Sequence, residues 1–200
     1  MNQAYLENSK KLLELLNRKL SSELLYSAIE LGDVVVQIAP EKAFDFLKIL
    51  RMDTEFKFDF FVSVTAVDWL DAREHRYEVV YHLLSLPNLY RLRVKVELPE
   101  EAPEIDSVVS LWPGANFMER EAWDMVGIKF RNHPDLRRIL MYEEFKGHPL
   151  RKDYPVQGKQ PRIPLIHPEV HNTARDMIRP ELVQIRKQRQ AKGAETSKSQ

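Results

Sequence analysis

Strict alternation over residues 91–98 (RLRVKVEL) constrains this chain more than any other feature. Leu92, Val94, Val96 and Leu98 fall on one face, and Arg91, Arg93, Lys95 and Glu97 fall on the other. A period of two describes a strand with one buried side. The run at 76–86 (RYEVVYHLLSL) precedes it across a short connection containing Pro87-Asn88, which predicts an antiparallel hairpin. Strands are also expected at 33–39 (DVVVQIA) and 56–67 (FKFDFFVSVTAV). Pro40 suits the first turn of a helix reaching about Met52. Within 8–31, Leu12, Leu13, Leu15, Leu16 and Leu20 keep a helical period, with Asn8 or Ser9 to cap the start. Ser21-Ser22-Glu23 interrupts that helix and caps a second, short one ending near Gly32. The predicted fold class is α+β: a mostly antiparallel or mixed sheet of about four strands, with helices packed on it and an extended C-terminal tail. The predicted segments are N-terminal helices at 1–31, an α+β domain at 32–156, and a tail at 157–200. That tail is proline-rich, then basic and polar.

Composition narrows the chemistry. Lys+Arg and Asp+Glu are 30 each, so the formal net charge is zero. Neither nucleic acid nor an anionic membrane has a long-range electrostatic reason to attract the chain. With no cysteine, disulfides, thiol nucleophiles, Cys-ligated zinc and Cys-held iron–sulfur clusters are excluded from this chain. No glycine-rich phosphate loop and no G-x-S-x-G elbow are present. Among the histidines only His167 and His171 have helical ligand spacing, and Pro168 lies between them, so no metal site is expected. The longest charge-free runs, at 79–90 and 107–118, fall short of the roughly 20 residues a membrane helix needs.

The informative element is a helix expected at 117–126. Met118, Ala122, Met125 and Val126 form its apolar stripe. Asn116 stands where an N-cap belongs, Glu119 resembles its capping-box partner, and Gly127 stands where a helix end wants positive φ. Arg120 and Asp124 are four apart on the opposite face, and Trp123 lies off the stripe as an interface anchor or as packing beneath the chain's own tail. Glu119 and Glu121, two apart, point in different directions. They read as a cap and a salt-bridged helix rather than an acid–base pair. Arg137, Arg138, Arg151 and Lys152 sit among Leu136, Ile139, Leu140 and Leu150, a pattern of docking rather than solvation.

The run at 119–140 (EREAWDMVGIKFRNHPDLRRIL) resembles the signature of the thirty-kilodalton subunit family of respiratory complex I. Glu119, Arg120, Glu121, Asp124, Met125, Val126, His133, Arg137, Ile139 and Leu140 occupy its places. The family's second hallmark, GHPLRKDYP, stands unbroken at 147–155 and contains His148, Arg151, Lys152 and Asp153. The resemblance covers about residues 32–156. It implies a peripheral-arm subunit of NADH:quinone oxidoreductase, a proton-translocating complex, with no catalytic, cofactor or metal residues in this chain. FMN, iron–sulfur clusters and quinone would sit in other subunits. The implied partners are the quinone-site subunit and the neighbouring cluster-bearing subunits, with the tail draped over the first of these. The implied location is the cytoplasmic side of the inner (plasma) membrane, or the matrix side in an organelle, with contact only through the complex. Two other readings stand beside it. One is the equivalent subunit of a membrane-bound hydrogenase-type complex. The other is an autonomous enzyme using Glu119, Glu121 and His133.

Overall fold

A computed structural model describes residues 3–157 and Gln160. Helix α1 spans Gln3–Leu20 and buries Leu12, Leu16 and Leu20. It begins well before Asn8, and the second N-terminal helix expected after it is a strand. Strand β1, Leu24–Glu30, pairs antiparallel with β2, Asp33–Ile38, in a register that sets Glu30 opposite Asp33. The two-residue link explains the difference: Leu31 and Gly32 both take positive φ, at 52° and 97°. That is the backbone of a tight hairpin turn, so Gly32 reverses a strand rather than ending a helix.

A 3-10 turn at Pro40–Lys42 leads into α2, Ala43–Met52, as Pro40 suggested. Strand β3 is Phe60–Asp68, shorter than expected. Phe56 and Phe58 are fully buried but precede it, because Lys57 turns the chain at φ 46° and the Phe58 N–H is spent on the Leu50 carbonyl. Strands β4, Tyr77–Ser85, and β5, Tyr90–Leu98, form the expected hairpin. Among the described residues the sheet has five strands in the order β1-β2-β5-β4-β3, and only the β2–β5 pair is parallel. The fold is therefore α+β with a mixed sheet. Leu92, Val94, Val96 and Leu98 face the core with Tyr77, Val79, Tyr81 and Leu83, and the apolar faces of the helices share it.

Strand β6, Glu104–Asp106, and β7, Lys129–Arg131, add a short parallel pair beyond the strands expected from the sequence. Between them lies helix α3, Ala115–Val126, packed against β3. Its N-cap position is Gly114 with no side-chain cap, so Asn116 lies inside the helix and does not cap it. Residues 132–157 then run without helix or strand over one end of α3 and the sheet. The predicted tail from 161 onward, with His167 and His171, lies outside the described residues.

Candidate functional site

Residues 132–157 form a strap, and the polar groups of α3 hold it down. Asp124 is fully buried. Its Oδ2 accepts the consecutive backbone N–H groups of Ile139, Leu140 and Met141 at 3.1, 2.9 and 2.9 Å, and its Oδ1 accepts Arg138 Nη1 at 2.6 Å. Burial pushes this carboxyl up, but the three N–H groups and the guanidinium together outweigh burial and hold it below its ordinary value. Arg138 also donates to the carbonyls of Phe145 and Gly147 and lies over the rings of Trp123 and Phe145. Arg120, also buried, donates to the carbonyls of Arg137 and Arg138 at 3.1 Å each. Arg120 and Asp124, four apart on the face opposite the apolar stripe, thus lie beneath the strap rather than in solvent. Both side chains point under the strap, since only there does each find enough partners to offset burial.

The 147–155 segment closes the C-terminal end of α3. A helix end leaves carbonyls without partners. Here His148 Nδ1 sits 3.1 Å from the Asp124 carbonyl, Leu150 N–H donates to Met125 O at 2.9 Å, and Arg151 Nε donates to Val126 O at 2.6 Å. Gly127 reverses the chain at φ 88°, as expected, and its N–H reaches the Ala122 and Trp123 carbonyls. Trp123 meets the His148 ring edge-on at 6.4 Å, so it is packed under its own chain.

The same segment is tied to the sheet. Asp68, at the end of β3, takes a bidentate bond from Arg76 at 3.0 and 3.1 Å and the Lys152 N–H at 2.8 Å. Arg76 also pairs with Asp153 at 2.9 Å, and these carboxylates, Asp68 first, raise the guanidinium's pKa. Neither Asp68 nor Arg76 stands among the site residues expected from the sequence. The available signal was opposite charge at the two ends of the β3–β4 connection, where Asp68 pairs in register with Tyr77.

Glu119 is the third anchor. Its fully buried carboxyl accepts Ser107 Oγ at 2.6 Å and Val108 N–H at 2.8 Å, holding the chain that enters α3. It is not a capping-box residue. Burial, only partly countered by those two bonds, raises its pKa to about 7. The His133 ring lies 3.9 Å away, buried beside it. Its Nδ1 accepts the Asp135 N–H at 3.0 Å, which leaves the proton on Nε2, 3.2 Å from the Asn116 carbonyl. Glu121 is exposed and lines a different groove, so the acid–base trio does not converge. Ser63, His82 and Arg93 form another line with catalytic appearance on the outer face of the sheet. There Arg93 Nε donates to His82 Nε2 at 3.1 Å, so the other ring nitrogen donates to Ser63 Oγ at 3.2 Å. A serine nucleophile needs the opposite polarity. Among the described residues no group of three His, Cys, Asp or Glu side chains could hold a metal ion.

Glu119 makes a measurable prediction. Its folded value lies above its ordinary 4.5, so its contribution to stability is full below pH 4.5 and is lost as pH rises toward 7. The loss amounts to about 3 kcal/mol by pH 8. Glu119→Gln keeps an acceptor for Val108 N–H, and its amide N–H donates to Ser107 Oγ in place of the bond that Ser107 now donates. Urea titrations at pH 5 and pH 8 should show the wild-type decline flattened in the variant. An equal decline in both would assign it to other groups.

The strap is thus bonded along α3 and to the end of β3. Residues 36–160 match the family described as respiratory-chain NADH dehydrogenase, 30 Kd subunit, and the chain belongs to that family. A NADH-quinone oxidoreductase subunit of Roseiflexus sp. (strain RS-1) is 47% identical over 148 residues, covering 74% of this chain and 84% of the relative. Its counterpart in Geobacter sulfurreducens is 43% identical over 152 residues, covering 76% and 92%. The solved trypsin-resistant fragment (1-134) of Nqo5 is similar at 32% identity and a TM-score of 0.54, over 64% of this chain and 99% of the fragment. An archaeal membrane-bound sulfane sulfur reductase shares the fold at 22% identity and a TM-score of 0.64, over 74% and 86%. The chain is thus a complex I-type NADH-quinone oxidoreductase subunit of an electron-transport chain, and the hydrogenase-type alternative is not favoured.

Proposed function

We propose that this chain is a scaffold of the peripheral arm. It bears no cofactor itself. It braces the quinone-site subunit and the neighbouring cluster-bearing subunits while electrons pass from NADH to quinone, coupled to proton translocation. It sits on the cytoplasmic side of the inner (plasma) membrane and touches that membrane only through its partners. One observation carries the reading. The buried ionisable groups of α3 (Glu119, Arg120, Asp124) are all bonded within the chain, as are the half-buried Arg138 and Arg151 of the strap, while Phe117, Leu140 and Leu150 on those same segments stay exposed, at 62, 57 and 62%. Spent polar groups beneath exposed apolar ones make a rigid face for docking, not a reaction centre. Arg137 projects from that face, with only the neighbouring Asp135 as ion-pair partner among the described residues.

Replacing Arg138 with alanine loosens the strap. The expected result is less assembled complex on a native gel, with NADH:quinone turnover per flavin within about twofold of wild type. Normal assembly with turnover reduced roughly a hundredfold, the scale of general acid–base catalysis, would instead make this a catalytic chain.

A further inference from the structure

The site described above leaves the open edge of the sheet unused. Among the described residues, strand β3 ends the strand order and pairs only with β4. From Phe60 to Val67 it carries no charge and no proline, two of the devices by which edge strands avoid further pairing. Its one bulge lies between Phe61 and Ser63, so the edge beyond is regular. Two cavities flank that regular part. One, of about 290 Å³, is lined by Ser63, Thr65, Met118, Glu121 and Met125 among others. The other, of about 510 Å³, is lined by Val67, Asp68, Trp69 and Lys152 among others. Both include Ala66, Val126 and Leu150, so they form one groove. From Ser63 to Asp68 it runs about 17 Å at strand rise.

Charge then selects the occupant. Of the ionisable side chains in 119–126 and 147–155, Glu121 and Lys152 alone make no hydrogen bond or ion pair among the described residues; only the Lys152 backbone is bonded. They line different cavities of the groove, Glu121 the one that includes Ser63 and Lys152 the one that includes Asp68. We propose that an extended segment of a neighbouring subunit adds to β3 as a further strand. Its small or apolar side chains enter the groove. A Lys or Arg meets Glu121, and an Asp or Glu roughly five residues away meets Lys152. A second β3 does not answer these charges, since it has no basic residue and its one acid, Asp68, is held by Arg76. Nor does the chain's own segment at 161–168, where prolines at 161, 164 and 168 interrupt any ladder. The inference rests on the reading of this chain as a bracing subunit.

The test uses the assembled complex with the photo-reactive residue benzoylphenylalanine replacing exposed Thr65. Irradiation should crosslink position 65 to another subunit, within a segment carrying that charge pair. Amides of 60–68 in the wild-type complex should exchange deuterium at least about tenfold more slowly than in the free chain. Glu121→Lys and Lys152→Glu should each lower the crosslink yield severalfold. Crosslinks to a second copy, to residues 161–200 or to nothing, with unchanged exchange at 60–68, would overturn the added strand while leaving the bracing role intact. Absence of the wild-type chain from the purified complex would overturn both.

Discussion

Asp124→Ala is expected to destabilise the chain by about 3–5 kcal/mol, the range observed when one partner of a buried, hydrogen-bonded ion pair is removed. The size follows from what the carboxylate holds. It is the common acceptor for one guanidinium and three consecutive backbone N–H groups, and it is fully buried. Alanine leaves Arg138 Nη1 facing a carbonyl at 3.5 Å, with only the Phe145 and Gly147 carbonyls on Nη2 to answer the charge, and orphans three backbone donors. The strap should come away before the sheet unfolds, because it has no secondary structure of its own. Limited trypsin digestion should then cut after Arg138, and urea denaturation should give the total loss. A double variant with Arg138→Met should cost less than the two single changes together, since it removes the uncompensated charge as well. Acid should mimic the effect. The folded value of Asp124 is lowered, so its contribution is full above its ordinary 3.8 and is lost as pH falls through the folded value. Glu119, on the same helix, titrates with the opposite sign.

Local signals in the sequence were strong for the sheet and weak for its polar interior. The β4–β5 hairpin was readable because alternation and a proline turn point to the same register. Residues 24–30 look helical because LLYSAIE follows a leucine-rich helix and Gly32 suits a helix end as well as a turn. What decides between them is the pairing of Val34, Val35 and Val36 with Ile29, Ala28 and Ser27, a contact between segments rather than a property of either. The contacts of the candidate site were hidden in the same way. Helical periodicity placed Arg120 and Asp124 opposite the apolar stripe, which is correct on the helix itself. It carries no information about a strap that returns from 132–157 to cover that face. Residues such as Arg138 and Arg151 look like surface cations until their acceptors, all distant in sequence, are in place. Gly127 was legible because its demand is local.

Gly127→Val is expected to cost roughly 3 kcal/mol, more than backbone conformation alone requires. At φ 88° a β-branched residue loses about 1 kcal/mol or more to steric conflict with its own backbone. A second cost comes from the strap. A Cβ at this position would lie 2.5 Å from Arg151 Nη2 and 2.5 and 2.7 Å from two atoms of the His148 ring. Neither neighbour can simply move aside. Arg151 is held by its bond to the Val126 carbonyl, and His148 contacts the Asp124 carbonyl and packs on Trp123. Displacing them reopens the helix end that the strap closes. Gly127→Asn separates the two costs, since asparagine tolerates left-handed φ but still carries Cβ. If backbone strain dominated, Asn would lie within a few tenths of a kcal/mol of wild type in urea titrations. If close approach dominates, as the distances require, Asn should lose more than half of what Val loses. Adding His148→Ala should then restore part of the stability of Gly127→Asn while destabilising the wild type. A glycine at this position therefore serves the joint between α3 and the strap as much as the turn itself.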